Sequence, residues 1–497
     1  MKIAIIGAGA SGLAAARVFS RNGLEPLVLE QNAYSGGVWK YRKGGGGGEA
    51  SPSPSLSTTT ATSKFSPMYK GLRTNLPKEI MAFREFPFPK MNDNSSSSSS
   101  SSSNSRNSDD DPSFVTHAAV QDYLLAYQSH FDLTKYIHYE SQVQSLQVLK
   151  DAKSAASPCN LDEVWPRVQL EWTTSNNQRQ ETKVDVFDMV CVCNGHYSKP
   201  AFANILGLKE YFKGNTMHSV MYDTPNEFQG QRVLCVGGRA SGSDLAREIS
   251  AVAQHVYLSD STFQLQPGQV PETQGSVTNV PSTQQVLSDG SIQFENCTTL
   301  TPQVDCIIFC TGYDYEFPFI QDHNEAAADD DDDDDGIIQN VPGERRIRPL
   351  YEQLWHARSP PLAFLGIPHS VVPFPEVEFQ AEAVHAQLDN NRLPPLETRL
   401  AAAERDAHAG GAKGNGRIQD THYLGSAQWD YCRRMAKLAG VFDEGVDNYI
   451  ATNQAIYEHS WEGRKGAFAA GPDTYRDVDY RRDDRHRTFT CKSLAAK

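Results

Sequence analysis

Several features that would assign a function class directly are missing from the 497 residues of this chain. No apolar run approaches the roughly 20 residues that cross a bilayer. An apolar strand pattern begins at Lys2, which leaves no room for a secretory signal. The nine cysteines show neither a disulfide framework nor zinc-ligand spacing. We therefore expect a cytoplasmic chain with reduced thiols, no bound metal and no transmembrane segment.

Positive charge is also scarce. The formal net charge is −15, which argues against nucleic acid as a partner. Much of this excess is a single run, Asp329 to Asp335, which we interpret as part of a solvated loop. The length is sufficient for two or three domains around a large core.

The strongest motif lies in the first thirty residues. A short apolar run ends in glycines at GxGxxG spacing, and a helical pattern and a second apolar strand follow. Gly7 allows the tight bend, Gly9 lets the backbone approach a pyrophosphate, and Gly12 lets the helix pack on the strand. Glu30 ends the second strand, where a carboxylate binds a ribose. The pattern predicts a dinucleotide-binding turn with binding residues Gly7, Ala8, Gly9, Ala10, Ser11, Gly12 and Glu30.

A second unit of the same kind begins at Arg232. A strand over 232–236 leads into Gly237-Gly-Arg-Ala-Ser-Gly242, a helical pattern follows, and His255 to Leu258 is the second strand. Two such turns in one chain usually mean two dinucleotides, most often a flavin and a nicotinamide. A duplicated domain with one inactive site is the alternative.

The fold class follows from these two units. We predict an α/β protein with two dinucleotide-binding (Rossmann-like) domains, the nicotinamide domain (206–300) being inserted into the flavin domain (1–205 and 301–497). Low-complexity stretches at about 44–66 and 92–113, the latter containing Ser95–Ser103, and an acidic stretch at about 322–336 are interpreted as loops.

Several elements outside the two units are also predicted. Helices are expected over Thr116 to His130 and Gln428 to Ala439, and strands across 136–190. Ser370 to Phe379 is interpreted as an irregular segment bordering a site. Cys191 and Cys193 alternate along an apolar strand, which favours core packing over redox chemistry.

The run from Phe212 to Tyr222 matches the fingerprint of an enzyme family. Phe212, Gly214, His218 and Tyr222 occupy every defined position of the pattern FxGxxxHxxx(Y/F). The chain thereby resembles the flavin-containing monooxygenases, over nearly its whole length apart from the low-complexity stretches. The related Baeyer–Villiger enzymes have Trp where Tyr222 stands, which argues against that group.

Shorter matches support the resemblance. Gly36-Gly37-Val38-Trp39 looks like the family's GGxW loop on the flavin, and Thr74-Asn75-Leu76-Pro77 looks like its TNLP segment beside the isoalloxazine. Cys310 to Tyr313 looks like its (A/C)TGY turn. The segment Pro472-Asp-Thr-Tyr-Arg476 and the second glycine turn are most similar to the plant and fungal S- and N-oxygenating branch. The flavin contacts implied here are Gly37, Val38, Trp39, Thr74 and Asn75.

The resemblance implies an FAD-dependent, NADPH-using monooxygenase of the N,N-dimethylaniline monooxygenase type. NADPH reduces FAD, and the reduced flavin takes up O₂ at C4a to give a hydroperoxide. This species transfers its distal oxygen to a small-molecule sulfide or amine. Because the cofactor carries the chemistry, the protein has to position the reactants, exclude water and supply hydrogen-bond donors. Whether the protein forms a homodimer stays open.

Asn75 is the candidate catalytic residue, because its amide donates a hydrogen bond without titrating. The alternative is a turn-forming Asn before Leu-Pro. His218 is interpreted as holding the connection between the two domains, with a general acid as the alternative.

The start of the second helix supplies the predicted coenzyme contacts. The family pattern implies contacts to the phosphates and the nicotinamide side from Ser241, Gly242, Ser243 and Asp244. A Ser and an Asp at a helix start are otherwise explained as caps.

Coenzyme choice is where resemblance and residues disagree. A 2′-phosphate is usually bound by a basic residue after the second strand, where this chain has Asp260. Arg239 replaces the middle glycine of the second turn. We predict that Arg239 binds the phosphate, so that NADPH is preferred over NADH by a reduced margin.

Other functions stay open at this stage. One is a different FAD and pyridine-nucleotide oxidoreductase, such as a Baeyer–Villiger or N-hydroxylating monooxygenase. The absence of a CxxC pair argues against the disulfide reductases. A non-enzyme alternative is a flavin-binding interaction protein.

Overall fold

The structure is a computed structural model, and it describes most of the chain. The described residues are 1–42, 66–89, 111–153, 165–176, 179–265, 269, 271–295, 299–300, 304–320, 337–338, 343–390, 393–467 and 473–494. Apart from residues 66 and 111–113, the three stretches interpreted as loops lie outside these residues.

Helices are distributed over the whole described chain. Their bounds are α1 Ala10–Arg21, α2 Lys78–Met81, α3 His117–His130, α4 Leu208–Tyr211, α5 Ala240–Ser250, α6 Pro373–Asn390, α7 Leu396–Ala409, α8 Gln428–Ala439 and α9 Glu444–Ala467. Among the described residues, no helix combines the length and apolar character that a membrane span requires.

The strands occur in groups, the largest of which follow α3 and α5. Their bounds are β1 Ile3–Ile6, β2 Leu27–Leu29, β3 Ile137–His138, β4 Ser141–Lys153, β5 Pro166–Asn176, β6 Arg179–Phe187, β7 Met189–Val192, β8 Lys199–Pro200, β9 Asn215–His218, β10 Arg232–Val236, β11 His255–Ser259, β12 Thr273–Gln274, β13 Val277–Val280, β14 Thr283–Val286, β15 Ile292–Phe294, β16 Thr299–Leu300, β17 Cys306–Phe309, β18 Tyr313–Asp314, β19 Leu350–Tyr351, β20 Trp355–His356, β21 Leu362–Phe364, β22 Val478–Asp483 and β23 Thr488–Ser493.

The first sheet is built from both ends of the chain, in the order β19-β20-β21-β7-β1-β2-β3. β1 lies parallel to β2 and β7, and β7 lies parallel to β21. Every residue of β1 is buried, because Ile3 and Ile5 pack with helices α1 and α6 while Ala4 and Ile6 pack with strands β4–β6. Burial on both faces explains the uninterrupted apolar sequence of this parallel strand. Cys191 and Cys193 are buried at this sheet, as expected for core residues. The strand order confirms that the chain returns to its first domain.

The second sheet has the order β12-β13-β11-β10-β17-β9. β10 is central and lies parallel to both β11 and β17. The boundary placed at residue 300 is therefore too early. Cys306–Phe309 pairs with β10 inside the second sheet, and the chain leaves this domain only after Phe309.

Two chain segments connect the domains, and they lie side by side. β8 and β18 form an antiparallel pair, in which Tyr313 faces Pro200 and Asp314 faces Lys199. The Ala201 N–H donates to the Gly312 carbonyl over 2.9 Å, and the Thr311 hydroxyl donates to the Ala201 carbonyl. The outgoing and returning segments are thus bonded to each other.

The structure tests the remaining predicted elements. β4, β5 and β6 form the expected antiparallel meander, and the helix Gln428–Ala439 is confirmed. The helix predicted from Thr116 begins one residue later, since the Thr116 hydroxyl accepts the N–H of Ala119 as an N-cap. The irregular segment predicted at Ser370 to Phe379 is wrong, because α6 begins at Pro373.

Candidate cofactor and active site

The first glycine turn joins β1 to α1 and bends sharply at Gly7. Gly7 has φ of +102°, and its N–H donates to the Leu29 carbonyl over 2.8 Å. A Cβ on Gly7 would lie 2.7 Å from the Cys193 carbonyl oxygen, and one on Gly12 would lie 1.9 Å from the Gly7 oxygen. The fold itself therefore requires glycine at both positions.

Gly9 differs from these two glycines. Its φ is −78°, and a Cβ there would make only ordinary contacts with Gly37, at 3.6 Å from its Cα and 4.0 Å from its nitrogen. The protein does not require a glycine here, so the free space in front of Gly9 is best explained by a ligand. Gly37 belongs to a 3-10 turn, Gly37–Trp39, that faces Gly9 from the GGxW loop.

A buried polar atom points to the same space. The Gln121 amide nitrogen donates to the Ser35 carbonyl over 3.0 Å, while its Oε1 has no partner among the described residues. A Cβ on Gly36 would lie 2.1 Å from this oxygen. An unpaired buried acceptor beside a glycine cradle fits a bound dinucleotide, which would supply the missing donor.

Glu30 is buried at the end of β2 and is already bonded within the turn. One oxygen accepts the Ala8 N–H over 2.8 Å, and the other accepts the Asn32 backbone N–H and side-chain amide over 2.8 and 2.6 Å. A carboxylate has about four acceptor positions, so about one is left for the predicted ribose.

The second glycine turn repeats the first in detail. Gly237 has φ of +105°, and a Cβ on Gly242 would lie 1.7 Å from the Gly237 oxygen. Asp260 accepts the Gly238 N–H over 2.8 Å, as Glu30 accepts the Ala8 N–H. Its other oxygen accepts the N–H and the hydroxyl of Thr262 over 3.0 and 2.8 Å.

Arg239 occupies in this turn the position of Gly9. Its φ of −74° is close to the −78° of Gly9. The side chain is 66% exposed and extends towards the first domain, where its Nη2 lies 4.0 Å from Asp420 Oδ1. The same carboxylate oxygen accepts the Lys413 ammonium over 2.9 Å.

The segment from Gly366 to His369 runs between the two turns. A Cβ on Gly366 would lie 2.9 Å from the Ser11 hydroxyl of the first turn. At the other end, burial and then the charge of Arg239 lower the pKa of His369 to about 4. The two turns therefore open onto a common space between the domains.

The polar side chains at the start of α5 have different surroundings. The Ser241 side chain is exposed and free to meet a ligand. The Ser243 hydroxyl instead donates to the Gly238 carbonyl over 2.7 Å, which fixes the turn itself. Asp244 accepts the Arg476 Nη2 over 2.7 Å and faces the C-terminal segment. Coenzyme contacts of Ser241, Gly242, Ser243 and Asp244 stay predictions.

Asn75 lies in the loop before α2. Thr74 is fixed to Val115, because its N–H donates to the Val115 carbonyl over 2.8 Å and its hydroxyl accepts the Val115 N–H over 3.1 Å. The Asn75 amide is half-buried and bonds to no other described residue. The backbone here is held while the amide stays available, as a donor to a ligand requires.

Trp39 and Val38 border the same region. The Trp39 ring is partly buried and meets the Phe374 ring edge-on at 6.3 Å. Phe374 lies in the first turn of α6, so the GGxW loop packs against the returning part of the first domain. Contacts of Val38, Trp39 and Asn75 with FAD stay predictions.

The fingerprint residues lie where the domains meet. The neutral His218 ring donates from Nε2 to the Gly312 carbonyl over 3.0 Å, and its Nδ1 accepts the Val220 N–H over 3.2 Å. Burial lowers the pKa of His218 to about 4. This geometry favours the interpretation that His218 holds the interdomain connection, since a general acid would need its proton near neutral pH.

The other fingerprint positions are structural. Phe212 follows α4 directly and packs on the core of the second domain, and a Cβ on Gly214 would lie 2.4 Å from the Asp305 carbonyl oxygen. The Tyr222 hydroxyl donates to Glu248 of α5 over 2.7 Å, and its ring meets that of Tyr69 from the first domain.

Comparison with known proteins agrees with this site. The family described as Flavin-binding monooxygenase-like matches residues 1–265. The chain belongs to the flavin-containing monooxygenases. It is therefore a flavin-dependent monooxygenase that uses FAD and NADPH.

Among curated relatives, Flavin-containing monooxygenase FMO GS-OX-like 4 of Arabidopsis thaliana is 30% identical, over 96% of this chain and 93% of the relative. FMO GS-OX-like 2 of the same plant is 32% identical, over 80% of this chain and 76% of the relative. Among solved structures, S-allyl-L-cysteine S-oxygenase from Allium sativum gives a TM-score of 0.75 at 28% identity, covering 98% of this chain and 96% of that one. Tmm from Pelagibacter sp. strain HTCC7211 gives 0.66 at 19% identity, covering 98% and 96%, and supports the fold alone.

Sequence reasoning missed two residues of this flavin-containing monooxygenase site. Gln121 lies on α3 among apolar positions, and a buried polar residue inside an apolar helix face was the available signal. Gly366 follows β21 with φ of +77° and lies beside Ser11. The only signal for Gly366 was a glycine after a buried strand, a common turn pattern.

Proposed function

We propose that this monooxygenase oxygenates the sulfur of small-molecule sulfides, with tertiary amines as a second substrate class. The observation that carries the proposal is the likeness, over 98% of this chain, to an enzyme titled S-allyl-L-cysteine S-oxygenase. A sulfide is a soft, uncharged nucleophile that needs no activating base. This requirement agrees with Asn75, a donor that does not titrate, as the polar side chain assigned to the reacting centre.

The first glycine turn would hold FAD. The unpaired N–H groups at the start of α1 would face the pyrophosphate, in the space that Gly9 and Gly37 leave free. Glu30 would accept from the ribose, and Gln121 Oε1 would gain a donor. When bound, FAD would supply acceptance of hydride from NADPH and activation of O₂ at its C4a carbon.

The second turn would hold NADPH, with its phosphates at the start of α5 and at Arg239. The side chain of Asn75 would donate a hydrogen bond at the reacting centre, where negative charge develops on oxygen. Aromatic packing between the domains, such as Tyr69 on Tyr222, would exclude water from this centre. His218 would stay neutral and hold the interdomain connection.

Purified holoenzyme tests the proposal with S-allyl-L-cysteine, N,N-dimethylaniline and cyclohexanone, each supplied with NADPH under ¹⁸O₂. We expect one ¹⁸O atom in the sulfoxide as the main product, and less N-oxide. Product should be scored by mass spectrometry, with hydrogen peroxide measured in parallel.

Each alternative has its own outcome. Lactone from cyclohexanone would identify a Baeyer–Villiger enzyme, and N-oxide in excess of sulfoxide would reverse the order of substrate classes. A yellow protein that consumes NADPH and yields only peroxide with every substrate would contradict the proposal. A yellow protein without NADPH consumption would indicate a flavin-binding interaction protein.

A further inference from the structure

Arg476, in the C-terminal segment, bonds to two distant parts of the chain and to its own segment. Its side chain is buried, with 4% of the residue exposed. Nε donates to the Thr74 carbonyl over 3.0 Å, and Nη2 donates to Asp244 over 2.7 Å. Nη1 donates to Asp473 over 2.6 Å. One guanidinium thus connects the loop of Thr74, helix α5 of the second domain and the C-terminal segment.

The two interdomain partners of Arg476 both belong to the candidate site. The Thr74 carbonyl is the oxygen of the peptide bond that leads into Asn75, so a bond to it fixes the plane of this peptide and the backbone from which the Asn75 side chain projects. Asp244 lies on α5, which begins at the second glycine turn. A single buried side chain, that of Arg476, therefore connects the loop of Asn75 with the predicted coenzyme-binding helix α5.

Neighbouring residues hold this guanidinium in place. Arg247, also on α5, donates to Asp473 over 2.8 Å. Arg73 donates from Nη2 to the Arg476 carbonyl over 2.8 Å. A planar guanidinium with donors in three directions can bind a carbonyl and two carboxylates together, which an ammonium on a flexible stem does not reproduce.

We propose that Arg476 is a positioning residue for oxygenation, which fixes the Thr74–Asn75 peptide relative to α5 and so transmits coenzyme binding to the Asn75 amide. This inference rests on the proposed function of Asn75. It gives a role to the Pro472–Arg476 segment, which the cofactor contacts leave unexplained. The Arg476 side chain donates to Thr74, Asp473 and Asp244 and not to Asn75 itself. Its loss should therefore lower the yield of oxygenated product per NADPH and leave flavin binding unchanged.

The test compares Arg476→Lys with Arg482→Lys in the holoenzyme. Arg482 is a matched control, because it lies in the same C-terminal segment and donates to the Glu79 carbonyl over 2.6 Å. Its other described hydrogen bonds are to Asp484, within the same hairpin. Asp244→Asn breaks the same connection from the side of the second domain and serves as an independent variant if Arg476→Lys does not fold.

Two readouts are measured. The first is oxygenated product per NADPH, which we expect to fall about tenfold in Arg476→Lys, the equivalent of one charged hydrogen bond. Peroxide should rise correspondingly, while FAD content and the rate of flavin reduction by NADPH stay near wild type. The second readout needs no turnover. It is hydrogen–deuterium exchange at the backbone N–H groups of Asn75 and Leu76, with and without NADP⁺.

We expect NADP⁺ to slow exchange at these amides in the wild type and in Arg482→Lys, but not in Arg476→Lys or Asp244→Asn. Unchanged product per NADPH in Arg476→Lys, or protection by NADP⁺ that persists in it, would overturn the inference. Failure of the proposed function would appear differently, as a wild type that yields no oxygenated product. The exchange measurement would still test Arg476 in that case.

Discussion

The two glycine turns have nearly the same backbone and differ at their middle position. Gly7 and Gly237 have φ of +102° and +105°. The third glycine, Gly12 or Gly242, packs a helix against the turn so closely that a Cβ would lie within 2 Å of a carbonyl oxygen. The middle position is Gly9 in one turn and Arg239 in the other, with the same extended backbone.

This comparison separates what the fold requires from what the ligand requires. Two of the three glycines are demanded by the protein's own backbone. The middle one is not, because Arg239 adopts the same conformation without strain and a Cβ on Gly9 would make an ordinary contact. The middle position is thus where a substitution changes binding without changing the fold.

The largest effect is expected from Gly9→Val. The branched side chain would fill the space needed by the FAD pyrophosphate, so the protein should fold but carry no flavin. The flavin absorbance of the purified variant, with circular dichroism to confirm folding, measures this. Arg239→Val is the matched control in the other turn and should keep its full FAD content. A folded Gly9→Val with a complete FAD spectrum would contradict the assignment of the first turn.

Asn75 has no equivalent in the second turn, and Asn75→Ala should uncouple the enzyme. NADPH oxidation should persist while oxygenated product falls by roughly 10²–10³, the usual cost of one lost oxyanion donor. Product and hydrogen peroxide are measured per NADPH consumed. Asn75→Asp keeps the shape without the donor and should behave like Asn75→Ala. Unchanged product per NADPH would remove Asn75 from the mechanism.

Arg239→Ala tests what the arginine adds to the second turn. If Arg239 donates one charged hydrogen bond to the 2′-phosphate, kcat/KM for NADPH should fall by about 1.5–3 kcal/mol in free energy. The value for NADH should hardly change. An equal loss for both coenzymes would place Arg239 at the pyrophosphate, as the position of Gly9 suggests. A wild type that prefers NADH would contradict the predicted preference.

His218 connects the domains that carry the two turns, and its contribution should depend on pH. Burial lowers its pKa to about 4, below the ordinary 6.5, so the folded state favours the neutral ring. This stabilisation is complete above pH 6.5 and is lost as pH falls from 6.5 towards 4. Between pH 7 and pH 5 the wild type should lose about 2 kcal/mol more unfolding free energy than His218→Asn.

Chemical denaturation at both pH values measures this difference. The comparison with the variant is needed because burial also lowers the pKa of His196 and His422, to about 4 and about 3. Identical pH dependence in wild type and His218→Asn would contradict the assignment of a neutral His218 ring that makes two hydrogen bonds.

The smallest effect is expected from deleting Ser95–Ser103, which lies outside the described residues and in the first domain only. A polyserine run cannot bury enough apolar area to offset the entropy of ordering it. Melting temperature, FAD content and turnover should all stay close to wild type. A large loss in any of them would show that the first turn depends on this insertion.

Much of the architecture could be predicted because its signals are local. β1, the first turn, α1 and β2 lie in thirty consecutive residues, and α8 shows a regular apolar face. The start of α6 was missed because Pro373 and Pro375 suggested an irregular segment, although proline is tolerated in the first turn of a helix.

The remaining misses depend on contacts between distant residues. β17 belongs to the second sheet only because it pairs with β10, some seventy residues earlier in the chain. Asp244 looked like a cap or a coenzyme contact, yet its partner Arg476 is 232 residues away. No local sequence pattern indicates such a pair, because the two residues come into contact only when the domains pack together.

The paired crossings between the domains restrict how the molecule can open. One oxygen, that of Gly312, accepts both the Ala201 N–H over 2.9 Å and the His218 ring over 3.0 Å. Sliding one domain along the other would break both bonds at once, whereas rotation about this point preserves them. The paired crossings therefore oppose sliding of one domain along the other more than rotation about Gly312.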